Sequence, residues 1–209
     1  MARVLSTSNQ TEMATIGHVY LTKFDRKLKQ FNHHGPLPDY FGDLIGDKKK
    51  VKIAEVGAGP INTIGDSWPD VEVEIYASDV LASAYMDVLW KPSGQHPVVP
   101  VVYEDLENLS YPDETFDIVH CVNAVDHTSD ALKAVKELMR VCKKGGWVYL
   151  RHSYNQKKRF GGHHEWNAGL KDGRAFFENG HKGFYLDDFT SHEVDGDRDK
   201  LIVSIWRKI

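Results

Sequence analysis

The stretch Val51-Lys-Ile-Ala-Glu-Val-Gly-Ala-Gly-Pro60 constrains this chain more than any other. A β-branched run closes on Glu55, two glycines follow at Gly57 and Gly59, and a short helix is expected from near Ile61. This is the layout of a nucleotide-type cofactor loop at the end of a first parallel strand. Glycines there let the backbone approach a ligand where side chains would block it. Two glycines alone say little, but spacing adds weight. The next strand-like run, Val71 to Ala77, closes on Ser78-Asp79. That places an acid about 20 residues past the glycines, where it reaches a ribose diol.

The rest of the chain alternates around this unit. Strands are expected at Lys52–Val56, Val71–Ala77, Val98–Tyr103, Phe116–Asn123 and Trp147–His152, with helical segments at Leu81–Trp90 and Ser129–Val141. Gly145-Gly146 reads as the stop of that last helix. Alternation of this kind implies an α/β fold, a parallel sheet with helices on both faces. Residues 9–31 carry an apolar stripe at helical spacing and read as an amphipathic cap over the domain or its pocket, with a second short helix over 37–46. Residues 154–174 show no clear period. Four strand-like runs follow, Arg174–Glu178, Gly183–Leu186, Phe189–Val194 and Leu201–Trp206, the last apolar on both faces. The 209 residues suit a single domain: a helical cap at 1–47, a cofactor core at 48–153, and substrate loops with C-terminal strands at 154–209.

A net charge of −4 gives no basic face, so nucleic acid is not an expected partner. No apolar run approaches the roughly 18 residues of a membrane span, and no secretion signal is read at the start. Only two cysteines occur, Cys121 and Cys142, both in apolar stretches, which fits a reducing cytoplasm. Exposed apolar faces on residues 9–31 or the last strand would allow two chains to pair as a homodimer.

Two cofactor plans compete at the loop. A dinucleotide site wants a third glycine and free N–H groups facing a pyrophosphate. This chain has Asn62 at that third position and Pro60, which lacks an N–H. Both weaken a phosphate cradle and matter less for a ligand without phosphate. S-adenosylmethionine is such a ligand, and its sulfonium and ammonium favour acids. Glu55, Asp79 and Asp105 each stand near the C-terminal end of one of the first three strands, where an open parallel sheet forms its crevice.

From Val51 to Arg151 the sequence resembles the class I S-adenosylmethionine-dependent methyltransferases, in particular the type 11 group. Two passages carry the likeness besides the loop: Glu107-Asn-Leu-Ser-Tyr-Pro-Asp-Glu-Thr-Phe-Asp-Ile-Val119 and Leu138-Met-Arg-Val-Cys-Lys-Lys-Gly-Gly-Trp-Val-Tyr-Leu150. The resemblance implies a Rossmann-like sheet with an antiparallel C-terminal strand. It also implies S-adenosylmethionine as cofactor. Glu55, Gly57, Ala58 and Gly59 would line its methionine part, Asp79 with Val80 its ribose, and Asp105 with Leu106 its adenine. Asn123 would lie beneath it. The departure is Pro60-Ile61-Asn62, which leaves the contacts after Gly59 open. Asn123-Ala-Val-Asp-His127 and Gly161-Gly-His-His-Glu-Trp-Asn167 resemble a subgroup associated with saccharide modification.

Methyl transfer to a hydroxyl is helped by a base, and histidine is the natural one near neutrality. His127, just past the fourth strand, is the first candidate, against the alternative that Asp126 or Thr128 merely caps the next helix. His152 ends the fifth strand, and His164 sits in the loop beyond it with Trp166 and Asn167. Trp166 would offer a flat face to a sugar or ring, or would only anchor the loop. No metal is expected, because adjacent His163 and His164 point different ways. The Tyr154-Asn-Gln-Lys-Lys158 spacing matches short-chain dehydrogenases, but Gly161-Gly162 interrupts the helix that chemistry needs. The expected activity is O-methylation of a small-molecule or saccharide hydroxyl. Transfer to nitrogen, or a non-catalytic methyltransferase-fold module, are the alternatives.

Overall fold

Alternating residues along each central strand are apolar on both sides, and the strands are buried on both faces as a result. In the computed structural model, Met13 and residues 34–160, 164–196 and 200–209 are described. The principal sheet contains β1 (Lys50–Val56), β2 (Glu72–Asp79), β3 (Val101–Tyr103), β4 (Phe116–Val122), β5 (Cys142–Ser153), β9 (Thr190–Asp195) and β10 (Lys200–Arg207). Their order is β3-β2-β1-β4-β5-β10-β9. The first five run parallel, and β10 is antiparallel to both of its neighbours. This is the Rossmann-like methyltransferase arrangement expected. A second sheet, β6 (Asn167–Lys171), β7 (Arg174–Glu178) and β8 (Gly183–Tyr185), is antiparallel.

The period of two along the strands divides the core in two. Ala54, Val56, Val119, Cys121, Val148 and Leu150 face one way, onto Ala131, Ala134, Val135, Leu138 and Val141 of helix α3 (Ala131–Val141). Val51, Ile53, Ile118, Tyr149 and Val203 face the other way, onto Leu37 and onto Phe41, Leu44 and Ile45 of helix α1 (Phe41–Ile45). Helix α2 (Ala82–Tyr85) continues through a π turn, Met86–Trp90, and ends at Ser93; its apolar residues pack with Ile61 beside the glycine loop. Met13 packs on that same cluster. The remainder of the cap expected over 9–31 lies outside the described residues. Among the described residues no helix is long and apolar enough to cross a membrane.

Three expectations need correction. No helix begins near Ile61: the chain from Gly57 to Asp70 runs in turns and bends. Asn62 builds that path, its amide donating to the Gly65 carbonyl at 2.7 Å and its carbonyl accepting from the Ile64 N–H at 3.1 Å. Gly145-Gly146 does not cap α3. The helix ends at Val141, and β5 starts immediately. The register jumps from Phe116↔Cys142 to Ile118↔Trp147, so the glycines form a bulge, with Gly145 at φ 75°. The segment 154–174, read as irregular, contains helix α4 (Gln156–Phe160) and strand β6.

Candidate active site at the strand ends

The C-terminal ends of β1, β2 and β4 meet around the glycine loop. Gly57 has φ 75°, and a Cβ on it would lie 2.2 Å from the Ala124 Cβ. The β1 turn therefore lies directly against the β4 turn, and no larger residue fits at 57. The N–H groups of Gly57 and Ala58 both donate to the Ser78 carbonyl, at 2.8 and 3.0 Å. Gly59, at φ 73°, donates its N–H to Asp79 Oδ2 at 2.9 Å, and Leu81 donates to Asp79 Oδ1 at 2.8 Å. Asp79 thus holds the loop as well as facing the crevice. Burial raises its pKa, and the two N–H donors and the charge of His127 oppose that rise. His127 accordingly stands close enough to Asp79 to be felt by it. Val80 packs partly buried on the Ile61 cluster.

Glu55 is 3% exposed. Its Oε1 accepts from the Thr63 hydroxyl at 3.1 Å, while Oε2 is buried without a hydrogen-bond partner. Burial pushes its pKa up to about 8. A buried carboxylate oxygen with no partner fits a ligand bearing an ammonium group. Asp105 lies two residues past β3, its carboxylate accepting from the Glu107 N–H at 2.9 Å in a tight turn closed by Asn108. Leu106 beside it is buried. Asn123, at φ 49°, directly follows β4. Its side-chain oxygen accepts from the Ser153 N–H at 3.0 Å and its own N–H donates to the Arg151 carbonyl, so it ties the ends of β4 and β5 together.

The alternative that Asp126 or Thr128 caps the next helix does not hold. The cap of α3 is Asp130, whose carboxylate accepts from the Lys133 N–H. Asp126 is instead 1% exposed and lies among three histidines. His164 Nδ1 is 2.6 Å from its Oδ2, His127 Nε2 is 3.9 Å from the same oxygen, and His152 Nε2 is 3.8 Å from Oδ1. The His127 and His164 rings stand 4.5 Å apart. Burial opposes the charge on Asp126. The hydrogen bond to His164 and the neighbouring imidazoles outweigh it and hold the carboxyl below its ordinary value. His152 is enclosed, edge-on to Phe177 at 5.0 Å, and burial lowers its pKa to about 4.

Backbone bonds create this cluster. The Asp126 carbonyl accepts from the N–H groups of Glu165 and Trp166, at 2.8 and 3.0 Å, which lays the loop after α4 across the end of β4. Trp166 is 1% exposed and donates its indole N–H to the Thr128 carbonyl at 2.8 Å, so it anchors the loop and offers no open face to a sugar ring. Asn167 is also buried, accepting from the Lys158 N–H. His163 lies outside the described residues. Among the described residues, the histidine ring beside His164 is that of His127.

Comparison with known proteins agrees with this architecture. Residues 55–150 match the family model described as Methyltransferase domain. Malonyl-[acyl-carrier protein] O-methyltransferase from Pseudescherichia vulneris is 27% identical over 129 residues, 60% of this chain and 49% of that protein. A phosphatidylethanolamine N-methyltransferase from Cereibacter sphaeroides is 32% identical over 83 residues, 40% of each chain. The chain thus spans about half or less of the length of these curated relatives. A solved S-adenosylmethionine-dependent methyltransferase from Clostridium acetobutylicum superposes at TM-score 0.50 with 14% identity, over 93% of this chain and 98% of the other. The matched stretch covers the loop, the strand-end acids and the β4–β5 passage, and with a sheet of this order it is similar to the class I S-adenosylmethionine-dependent methyltransferases.

Proposed function

We propose that this chain methylates a hydroxyl of a small molecule or saccharide, with S-adenosylmethionine as donor and a histidine as base. The single observation that carries the reading is the Asp126–His164 pair at 2.6 Å, beside His127, in the turn that follows β4. When bound, S-adenosylmethionine supplies a methyl group on a sulfonium centre. The residues fit it: Glu55 has an unpartnered buried carboxylate oxygen, Gly57 lets the β1 turn close onto the β4 turn, and Asp79 brings a second carboxylate. Glu55, Gly57, Ala58 and Gly59 would hold the amino-acid part, Asp79 and Val80 the ribose, and Asp105 and Leu106 the adenine.

The chain's own contribution is to orient the acceptor and receive its proton. Asp126 takes the Nδ1 side of His164, which directs proton uptake to Nε2 and stabilises the imidazolium that results. His127, its ring 4.5 Å from that of His164, orients the acceptor. A neutral hydroxyl suits this arrangement, since only a group that must lose its proton needs the carboxylate-backed imidazole.

Calorimetry with S-adenosylhomocysteine tests the first half, and saturable binding is expected. Methyl transfer to a panel of hydroxylated small molecules and sugars tests the second. His164→Ala is expected to retain S-adenosylhomocysteine while slowing transfer by about 10²–10⁴, with His127→Ala following it. Full turnover in both variants would remove the histidine base, and absence of cofactor binding would remove the whole reading.

A further inference from the structure

Among the described residues, Asp126, His127 and His164 bring one carboxylate oxygen and two imidazole nitrogens within 4.8 Å of one another. We infer that these three groups form a binding site for a divalent transition-metal ion. Donors bound to zinc at about 2.1 Å stand no more than about 4.2 Å apart. The separations from Asp126 Oδ2, 2.6 Å to His164 Nδ1 and 3.9 Å to His127 Nε2, lie inside that limit. The histidine–histidine separation comes within it by a small rotation of either ring. Two imidazoles and one carboxylate select the zinc, cobalt or iron class over magnesium or calcium, which prefer all-oxygen shells. Three protein ligands leave coordination positions open.

A second observation points to a missing guest. Asp126 Oδ1 and His152 Nε2 are both buried and without a hydrogen-bond partner, and they face each other across 3.8 Å. Their side chains are 2% and 4% exposed. Two orphaned polar atoms at one carboxylate are rare in a folded core. A cation on Asp126, with its own water, satisfies both. The enclosure is incomplete, because the His127 and His164 side chains keep 13% and 9% exposure, which leaves a route in.

The ion would replace the hydrogen now shared by Asp126 and His164. With the Nδ1 lone pair of His164 on the ion, the ring hydrogen sits on Nε2, so the nitrogen that would receive the acceptor proton is already filled and an occupied site is an off state for proton transfer. The site itself stands or fails independently of the methyl-transfer reading, because its test needs neither cofactor nor acceptor.

The test is titration of chelator-stripped full-length protein with Co²⁺, followed by visible absorption, and with Zn²⁺, followed by calorimetry. One equivalent is expected to bind. Asp126→Asn and His164→Ala should each weaken binding by more than the roughly 10–100-fold that loss of a mere supporting group causes. His192→Ala, on the exposed strand β9, should leave it unchanged. A cooperative thermal transition and a wild-type circular-dichroism spectrum establish that each variant is folded. Carbethoxylation read by mass spectrometry gives an independent view: one equivalent of Co²⁺ should shield His127 and His164 while His192 still reacts. Absence of saturable binding overturns the site. So does binding undiminished in both Asp126→Asn and His164→Ala, which would place the ion on surface histidines.

Discussion

The Asp79 carboxylate accepts the Gly59 and Leu81 N–H groups at 2.9 and 2.8 Å, and in the proposed complex it also takes the ribose hydroxyls. Substitution separates these tasks. Asp79→Ala removes both, leaving two part-buried N–H groups unsatisfied at about 1–3 kcal/mol each. Cofactor binding should vanish, with a lowered melting temperature that S-adenosylhomocysteine no longer raises. Asp79→Asn keeps an acceptor oxygen for one N–H, so it should recover part of the stability and little of the binding. Thermal unfolding with and without ligand reads both effects, and equal ligand-induced shifts in wild type and Asp79→Ala would exclude a cofactor role. Glu55, Gly57 and Asp79 were legible in the sequence because strand ends and a spacing of about 20 residues fix where they fall. Asp126 was not. A carboxylate before a helix reads as a cap, and only the fold shows that Asp130 caps α3 while the backbone of Glu165 and Trp166 brings His164 over Asp126. The available clue was that Asp126 stands just past the C-terminal end of β4, the same edge of the sheet at which β1 and β2 carry Glu55 and Asp79.

At the level of elements, the turn after β1 sets the crevice. Its contact with the β4 turn is made by Gly57 against Ala124. Gly57→Ala places a methyl 2.2 Å from the Ala124 methyl and forces alanine to φ 75°, a region disfavoured by about 1–2 kcal/mol. The two turns should separate and S-adenosylhomocysteine binding should fall at least tenfold, with the sheet intact. Adding Ala124→Gly removes the clash but not the backbone strain, so the double variant should regain binding only in part. Wild-type affinity in Gly57→Ala would show that this contact does not shape the pocket. The neighbouring departure, Pro60-Ile61-Asn62, has its explanation here. The Pro60 carbonyl accepts the Trp90 indole N–H at 3.2 Å, Ile61 packs in that cluster, and Asn62 folds the loop on itself in place of a helix. Sequence pattern favoured a helix because a cofactor loop usually opens one. It could not anticipate Asn62, since side-chain bonds that compete with helix formation leave no periodic trace. The β5 bulge was hidden for a similar reason. Gly-Gly after an apolar helix is an ordinary stop signal, and only the Gly145–Lys208 pairing across the sheet reveals the bulge.

Across the whole molecule, β1 holds the sheet between two apolar cores, yet it ends in an acid buried between them. Most of the strand order was legible, because βα alternation permits few topologies and the apolar runs are too long for exposed strands. The second sheet was partly legible: β7 and β8 read as strands, while β6 lies in a glycine-rich, aromatic stretch with no period. The buried Glu55 gives the fold a pH dependence whose sign follows from linkage. Its pKa is raised from an ordinary 4.5 to about 8, so between those values the folded chain keeps a proton that the unfolded chain has released. Stability therefore falls as pH rises through this window, is free of the penalty below about 4.5, and levels off above about 8. Glu55→Gln keeps an acceptor for Thr63 and cannot ionise. The difference between variant and wild type in urea unfolding should grow steadily in favour of the variant from pH 5 to pH 8. An ammonium-bearing ligand stabilises the ionised carboxylate, so saturating S-adenosylhomocysteine should flatten the wild-type curve and leave that of Glu55→Gln nearly unchanged. A difference that stays constant across the window would mean that Glu55 is already ionised in the free protein, held by a cation other than the cofactor.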